Sequence, residues 1–200
     1  MSDKAGISRR GKTAFALLAA LGAVAILAFK GYQVFVEPEQ MTRQYLGIEA
    51  AAGPAPQFAF EARDGKSVGL SDYRGRFVLL NYWATWCDSC RMEMPGMAVL
   101  AQQLKGEPFA MVAASVDDGW EPVDEYFSSR APPFEVLRDP DAKWSKAYGT
   151  VKFPETYLIG PDGQLRAKFV GPRDWNDRAF ELYLRKALAE LPHPSASASR

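Results

Sequence analysis

The sequence has few residues that could hold a metal ion. Its 200 residues include two cysteines and one histidine. The histidine, His193, lies between two prolines close to the C-terminal end. Zinc requires three or four protein ligands, so two sulfurs and one distant imidazole do not predict a metal site. Any chemistry carried out by sulfur must take place at Cys87 and Cys90.

The chain also lacks an excess of charge of either sign. It has 24 lysines and arginines and 24 aspartates and glutamates, which gives a formal net charge of zero. A strongly basic surface is what usually attracts nucleic acids and other acidic polymers. The composition therefore indicates no nucleic-acid partner.

A long uncharged segment is present near the N-terminus. Residues 14–29 contain no charged side chain, and Arg9, Arg10 and Lys12 precede them. A helix of this length spans about 24 Å, and the flanking residues extend it toward the ~30 Å of a bilayer core. We interpret residues 13–36 as a transmembrane signal anchor, with residues 1–12 cytoplasmic and the remainder extracytoplasmic by the positive-inside rule.

Two other interpretations fit this segment less well. A cleaved signal peptide needs a small-x-small site after the apolar run, and residues 29–34 offer none. The second is a twin-arginine signal, since Ser8-Arg9-Arg10 is similar to the start of one. However, Lys12 and Thr13 stand where that signal has an apolar pair. An uncleaved anchor in the cytoplasmic membrane remains the expectation.

The rest of the chain divides by composition. Residues 37–56 contain three prolines and little periodicity, which predicts a linker with at most a short helix. Residues 192–200 are typical of a flexible tail. Between them, residues 57–191 predict one compact domain.

Strand and helix patterns alternate within that domain. They predict a hairpin over 57–70, strands at 77–83, 109–116, 134–137, 156–159 and 165–170, and helices at 87–104, 121–130, 141–148 and 174–191. This alternation predicts an α/β fold with a mostly parallel sheet covered by helices on both faces.

The two cysteines lie between the apolar strand and the helix that follows it. A helix N-terminus favours a thiolate, so Cys87 is the expected nucleophile. Cys90, one turn later, would attack the mixed disulfide and release the product. A purely structural disulfide is the alternative, but so short a loop restrains the unfolded chain little.

Three motifs give the chain a family resemblance. They are Asp64-Gly65-Lys66 with Leu70-Ser71-Asp72-Tyr73-Arg74-Gly75, the segment 81–95 (NYWATWCDSCRMEMP), and Tyr148-Gly149 followed by 153–159 (FPETYLI). In this order they resemble the thioredoxin superfamily and, within it, the membrane-anchored TlpA/ResA-like thiol:disulfide oxidoreductases. The resemblance covers residues 55–191 and implies a thioredoxin-like fold with a central mixed sheet, preceded by one transmembrane helix.

The resemblance also implies a substrate-binding surface. The proline of its third motif, Pro154, would be cis and lie against the disulfide, which exposes the preceding backbone to a substrate strand. Trp86 and Phe153 would add apolar contacts to the substrate. The alternatives are an ordinary trans proline in a loop and a tryptophan that serves packing alone.

Glu93 is the third expected catalytic residue. TlpA/ResA-like proteins have a glutamate at this position, thought to mediate proton transfer to the dithiol. Thioredoxins use a buried aspartate before the first cysteine, where this chain has Asn81, which does not titrate. The alternative is that Glu93 only interacts with the helix dipole.

The expected function is extracytoplasmic disulfide reduction that needs no cofactor. Asp88 places a negative charge beside Cys87, which opposes the thiolate and favours a reductant. The implied partners are protein disulfide clients, as in cytochrome c maturation or copper-site assembly, and a transmembrane thiol reductase as electron donor.

Two other function classes remain open. A peroxiredoxin-like peroxidase requires a threonine three residues before its cysteine, and Ala84 stands there. A copper carrier of thioredoxin fold uses a Cys-x-x-x-Cys spacing and a distant histidine in the domain, and this chain has neither.

Overall fold

The computed structural model describes residues 9–128 and 131–191. The predicted tail at 192–200, with His193, and residues 1–8 of the predicted cytoplasmic segment lie outside the described residues. The helices are α1 (Arg9–Tyr45), α2 (Asp88–Gln103), α3 (Trp120–Tyr126), α4 (Lys143–Ala147) and α5 (Arg178–Ala189), with short 3₁₀ helices at Leu70–Tyr73 and Pro140–Ala142. The strands are β1 (Ile48–Glu49), β2 (Ala59–Glu61), β3 (Ser67–Gly69), β4 (Phe77–Trp83), β5 (Phe109–Ser115), β6 (Glu135–Arg138), β7 (Glu155–Ile159) and β8 (Leu165–Val170).

The chain divides into two compact units between Gln44 and Tyr45. The first contains nearly all of α1. Within the residues that the structure describes, none of the helices combines the length and apolar character needed to cross a membrane. The second unit begins at Tyr45, whose hydroxyl donates a hydrogen bond of 2.7 Å to Asp177 at the start of α5.

The eight strands form one mixed sheet in the order β1-β8-β7-β4-β5-β6-β2-β3. Only the β4/β5 and β5/β6 pairs are parallel. The expectation of a mostly parallel sheet is therefore wrong, and the mixed sheet that the family resemblance implies is confirmed. The physical reason is that two hairpins, whose strands are necessarily antiparallel, contribute β2 with β3 and β7 with β8.

The central strand β4 is buried along its whole length. Phe77, Leu79 and Trp83 belong to a core cluster with residues of α2, α3 and α5. The alternate residues of β4 belong to a second cluster with the 3₁₀ helix at 70–73 and with Tyr148 after α4. Because both faces of β4 are covered by apolar side chains, its sequence is a continuous apolar run rather than an alternating one.

Two segments differ from their sequence-based expectation. The segment expected to be a linker, 37–56, holds the end of α1, strand β1 and the buried side chains of Leu46 and Ala55. Burial of these apolar groups orders a segment that its prolines marked as irregular. Helix α3 ends at Tyr126, whereas the sequence predicted a helix to residue 130.

Candidate active site

The cysteine pair lies at the junction between β4 and α2. Cys87 is the N-cap residue of α2, and its Sγ accepts a hydrogen bond from the backbone N–H of Cys90 at 3.3 Å. The two sulfurs form a disulfide, with Cα atoms 5.3 Å apart. Cys87 is partly exposed, whereas Cys90 is 0% exposed. A client sulfur can therefore approach Cys87 but not Cys90.

The loop that carries Cys87 is held in place by a buried carboxylate that the sequence analysis missed. Asp117, just after β5, accepts hydrogen bonds from the backbone N–H of Thr85 at 3.0 Å and from its hydroxyl at 2.7 Å. The hydroxyl of Ser115 donates a third at 2.6 Å. Because β4 and β5 are parallel, their carboxyl ends meet at the same edge of the sheet. The end of β5 thereby positions the loop that follows β4.

The loop before β7 contributes the predicted substrate surface. The Phe153–Pro154 peptide bond is cis, as the resemblance implied. The ring of Phe153 lies edge-on to that of Trp86, with centroids 6.0 Å apart. Trp86 is 66% exposed. The structure thus brings two of the three predicted substrate-binding residues into contact beside Cys87, and Pro154 lies next to Phe153 in the chain.

The carboxyl group of Glu93 is buried one turn beyond Cys90 on the same helix face, and the side chain is 3% exposed. Its Oε1 accepts from Asn81 Nδ2 at 2.7 Å, and its Oε2 accepts from the backbone N–H of Arg173 at 3.0 Å and from Trp175 Nε1 at 3.1 Å. Loss of hydration raises the pKa of Glu93 from 4.5 to about 7, although all three hydrogen bonds oppose that rise. A carboxyl group with this pKa can accept and return a proton near neutral pH.

Asn81 connects Glu93 to the centre of the sheet. Its Nδ2 also donates to Thr156 Oγ1 at 2.9 Å, while its Oδ1 is buried without a hydrogen-bond partner in the structure. The two ends of an amide side chain can exchange places by rotation. After such a rotation, Oδ1 would accept the O–H of protonated Glu93. Asn81 can therefore satisfy Glu93 in both of its protonation states.

Asp88 has a smaller electrostatic influence than the sequence suggested. Its side chain is 94% exposed, and Oδ1 lies 3.7 Å from Nη1 of Arg91. Water and the neighbouring guanidinium both screen the field of such a carboxylate. Its effect on Cys87 is therefore weak, and the case for a reductant cannot depend on Asp88 alone.

No set of metal ligands accompanies the cysteines. Across residues 9–128 and 131–191 there is no group of three or more histidine, cysteine, aspartate or glutamate side chains that could hold a metal ion. The residues gathered around the cysteines instead supply an exposed sulfur, a buried sulfur, a buried carboxyl group and an apolar surface. This combination suits the exchange of disulfides with another protein.

A cysteine pair at a helix N-terminus and a cis-proline just before a strand of a mixed sheet define a thioredoxin-like thiol-disulfide oxidoreductase. The model of the AhpC/TSA family matches residues 51–168, which is more than half of the chain. The chain belongs to this thioredoxin-like family.

Comparison with known proteins indicates which members of the family this chain is similar to in sequence. The chain is 31% identical over 170 residues to the thiol-disulfide oxidoreductase ResA of Bacillus thuringiensis subsp. konkukian, covering 85% of this chain and 91% of that protein. It is 36% identical over 111 residues to ResA of Bacillus subtilis, and that match covers 56% of this chain and 62% of the relative.

Solved structures that are similar to this chain also include thiol:disulfide interchange proteins. A Chlorobium tepidum protein provisionally assigned as the thiol:disulfide interchange protein DsbE is 30% identical and has a TM-score of 0.64, covering 70% of this chain and 98% of that one. A second thiol:disulfide interchange protein of the thioredoxin family from Chlorobium tepidum is 26% identical with a TM-score of 0.59, covering 70% and 99%. The protein is a TlpA/ResA-like member of the thioredoxin superfamily, and dithiol–disulfide exchange is its activity.

Proposed function

We propose that the protein reduces disulfides in extracytoplasmic client proteins, with Cys87 as nucleophile and Cys90 as resolving thiol. The observation that carries this proposal is the difference in exposure between the two residues of one disulfide, since Cys87 is partly exposed and Cys90 is buried. The exposed sulfur can meet a client, whereas the buried one can react only within the molecule.

In the first step the thiolate of Cys87 attacks one sulfur of a client disulfide. A bond forms between Cys87 and that sulfur, and the client S–S bond breaks. The other client sulfur leaves as a thiolate and takes up a proton. Exposed Trp86 and partly exposed Phe153 offer an aromatic surface beside the attacking sulfur, which can hold the apolar part of a client segment.

In the second step Cys90 resolves the mixed disulfide. Glu93 accepts the proton of the Cys90 thiol, and the resulting thiolate attacks the sulfur of Cys87. The Cys87–Cys90 bond forms, the bond between Cys87 and the client sulfur breaks, and that sulfur leaves as a thiolate that takes up a proton. The client has gained two electrons, and the protein has become the disulfide form.

The proposed partners follow from this balance of electrons. Each turnover oxidises Cys87 and Cys90, so a donor must restore two electrons in a compartment that keeps thiols oxidised. We propose a transmembrane thiol reductase as that donor. The proposed clients are proteins whose cysteines must be reduced outside the cytoplasm, such as the haem-binding cysteines in cytochrome c maturation.

The reduction potential of the Cys87/Cys90 pair tests the proposed direction. We expect a value near or below about −270 mV when the protein is equilibrated with dithiothreitol buffers, because a dedicated reductant must favour its disulfide form. A value close to about −120 mV would mean that the protein donates disulfides. Fast and saturable consumption of peroxide by the reduced protein would instead favour the peroxidase class.

We also propose that residues 13–36 anchor the protein in the cytoplasmic membrane, with the thioredoxin-like domain on the outer side. The uncharged run at 14–29 and the basic residues before it support this proposal. The full chain is expected to stay in the membrane fraction after an alkaline carbonate wash. The double variant Leu21→Arg, Ile26→Arg is expected to be released, since two buried charges oppose insertion. Release of the unchanged protein by the wash would refute the anchor.

A further inference from the structure

A segment remote in sequence from the cysteines holds the buried carboxyl group of Glu93. After β8 the chain turns through Pro172–Trp175, and both of its hydrogen bonds to Glu93 end on Oε2. Trp175 is 1% exposed, and its ring lies 5.3 Å from that of Phe169 and 4.7 Å from that of Phe180, centroid to centroid. These packing contacts fix the direction in which the indole N–H points.

Gly96 allows this segment to approach helix α2. A Cβ atom at Gly96 would lie 3.2 Å from the backbone nitrogen of Asn176 and 3.3 Å from that of Trp175. Both neighbours are backbone atoms, so a larger residue could be accommodated only if the segment moved away. The missing side chain thus brings the backbone of Trp175 close to the helix that carries Glu93.

The same residues border the path between Glu93 and solvent. A surface cavity of about 320 Å³ is lined by Met92, Glu93, Gly96 and residues 172–175. A proton accepted by Glu93 can leave through this cavity, because water fits in a space of this size and polar groups line it. The segment therefore contacts Glu93 at the point where its proton must be exchanged.

We propose that Trp175, seated against Gly96, is a positioning residue that sets the pH at which Glu93 accepts the proton of the resolving cysteine. The indole N–H stabilises the ionised carboxylate and leaves Oε1 to Asn81. This inference rests on the proposed role of Glu93 in the second step of exchange.

Besides Trp175, few of the groups around Glu93 can change the pKa of its carboxyl. Its own helix carries Cys90 three residues before it, β4 contributes neutral Asn81, and Thr156 of β7 accepts from that amide. The Arg173 guanidinium is the charged group that acts on Glu93, and it lowers the pKa of that carboxyl. Replacing the indole leaves all of these groups in place.

The test is Trp175→Phe in the full chain, which keeps an aromatic ring and removes the N–H. The titration of the Glu93 carboxyl is followed by ¹³C NMR in the disulfide form, and the pH dependence of exchange with a model disulfide is followed in the dithiol form. We expect both midpoints to rise by about one pH unit, equivalent to tenfold less ionised Glu93 at a fixed pH below the midpoint. Trp144→Phe is the control, because it removes an indole hydrogen bond of 2.9 Å to the carbonyl of Ala59, away from the site.

Two further variants keep the test decisive. Gly96→Ala retains the indole but displaces its backbone, so we expect its midpoints to rise as well. In a Glu93→Gln background, Trp175→Phe is expected to leave the pH profile of exchange unchanged. Unaltered midpoints in Trp175→Phe would overturn the proposal, as would a Trp175→Phe effect that persists without Glu93. If Glu93→Gln alone leaves the profile unchanged, the proposed role of Glu93 fails first.

Discussion

Cys87→Ser is expected to abolish disulfide exchange, whereas Cys90→Ser is expected to trap covalent complexes with clients. Without Cys87 no accessible thiol remains, since the chain has only two cysteines and Cys90 is buried. Without Cys90 the attack by Cys87 can still occur, but the mixed disulfide cannot be resolved within the molecule. In the first variant exchange should fall to the rate measured without the protein. In the second, adducts that dithiothreitol reverses should accumulate.

The trapping experiment has a direct control and a clear contrary result. The double variant Cys87→Ser, Cys90→Ser should form no adducts, because neither attack nor resolution is possible. Membrane extracts are separated without reductant and the adducts are identified by mass spectrometry. Adducts formed by Cys87→Ser as readily as by Cys90→Ser would show that the assignment of nucleophile and resolving thiol is wrong.

Glu93→Gln is expected to change how the stability of the oxidised protein depends on pH. The folded protein raises the pKa of Glu93 from 4.5 to about 7, so the folded state binds the proton more tightly than the unfolded state does. The resulting stability is fully present below pH 4.5 and is lost as the pH rises to about 7. At about 1.4 kcal/mol for each pH unit, the loss is on the order of 3 kcal/mol.

A glutamine cannot lose a proton, so the variant should be the more stable protein at pH 8, by up to about 3 kcal/mol. It can be accommodated because a rotated Asn81 would accept from its amide N–H, while its carbonyl oxygen accepts from Arg173 and Trp175. Urea unfolding of the oxidised protein between pH 4 and pH 8 measures the difference, with exposed Glu121→Gln as the control. If the free energy of unfolding depends on pH in the same way in Glu93→Gln and in the unchanged protein, the buried carboxyl group is not the source of that dependence.

Much of the fold could be predicted because local patterns determine its central elements. The apolar run 77–83 became β4, and Asp64-Gly65 and Pro161-Asp162-Gly163 fall in the turns of the two predicted hairpins. Whether neighbouring strands run parallel or antiparallel could not be derived in this way, since strand pairing depends on contacts between residues far apart in the sequence. Strand β1 was missed for the same reason, because two residues become a strand only by pairing with β8.

The candidate site also contains residues that the sequence could predict and residues that it could not. Cys87, Cys90 and Glu93 occupy one short stretch, so the position of the cysteines at a helix start predicted a nucleophile and a resolving thiol, and the family resemblance implied the role of Glu93. The partners of Glu93 are up to 82 residues away in the chain. Asp117, which holds the loop at Thr85, lies 32 residues beyond it. No spacing pattern in the sequence connects these residues.

The sequence by itself determined the chemistry of this protein: a reversible disulfide at a helix N-terminus, without other thiols and without a set of metal ligands. It could do so because the residues that react are neighbours on one helix. Only the tertiary structure decided the proton affinity of the buried carboxyl, since that depends on how completely water is excluded and on three hydrogen bonds from β4 and the segment after β8. Both are products of packing between distant parts of the chain.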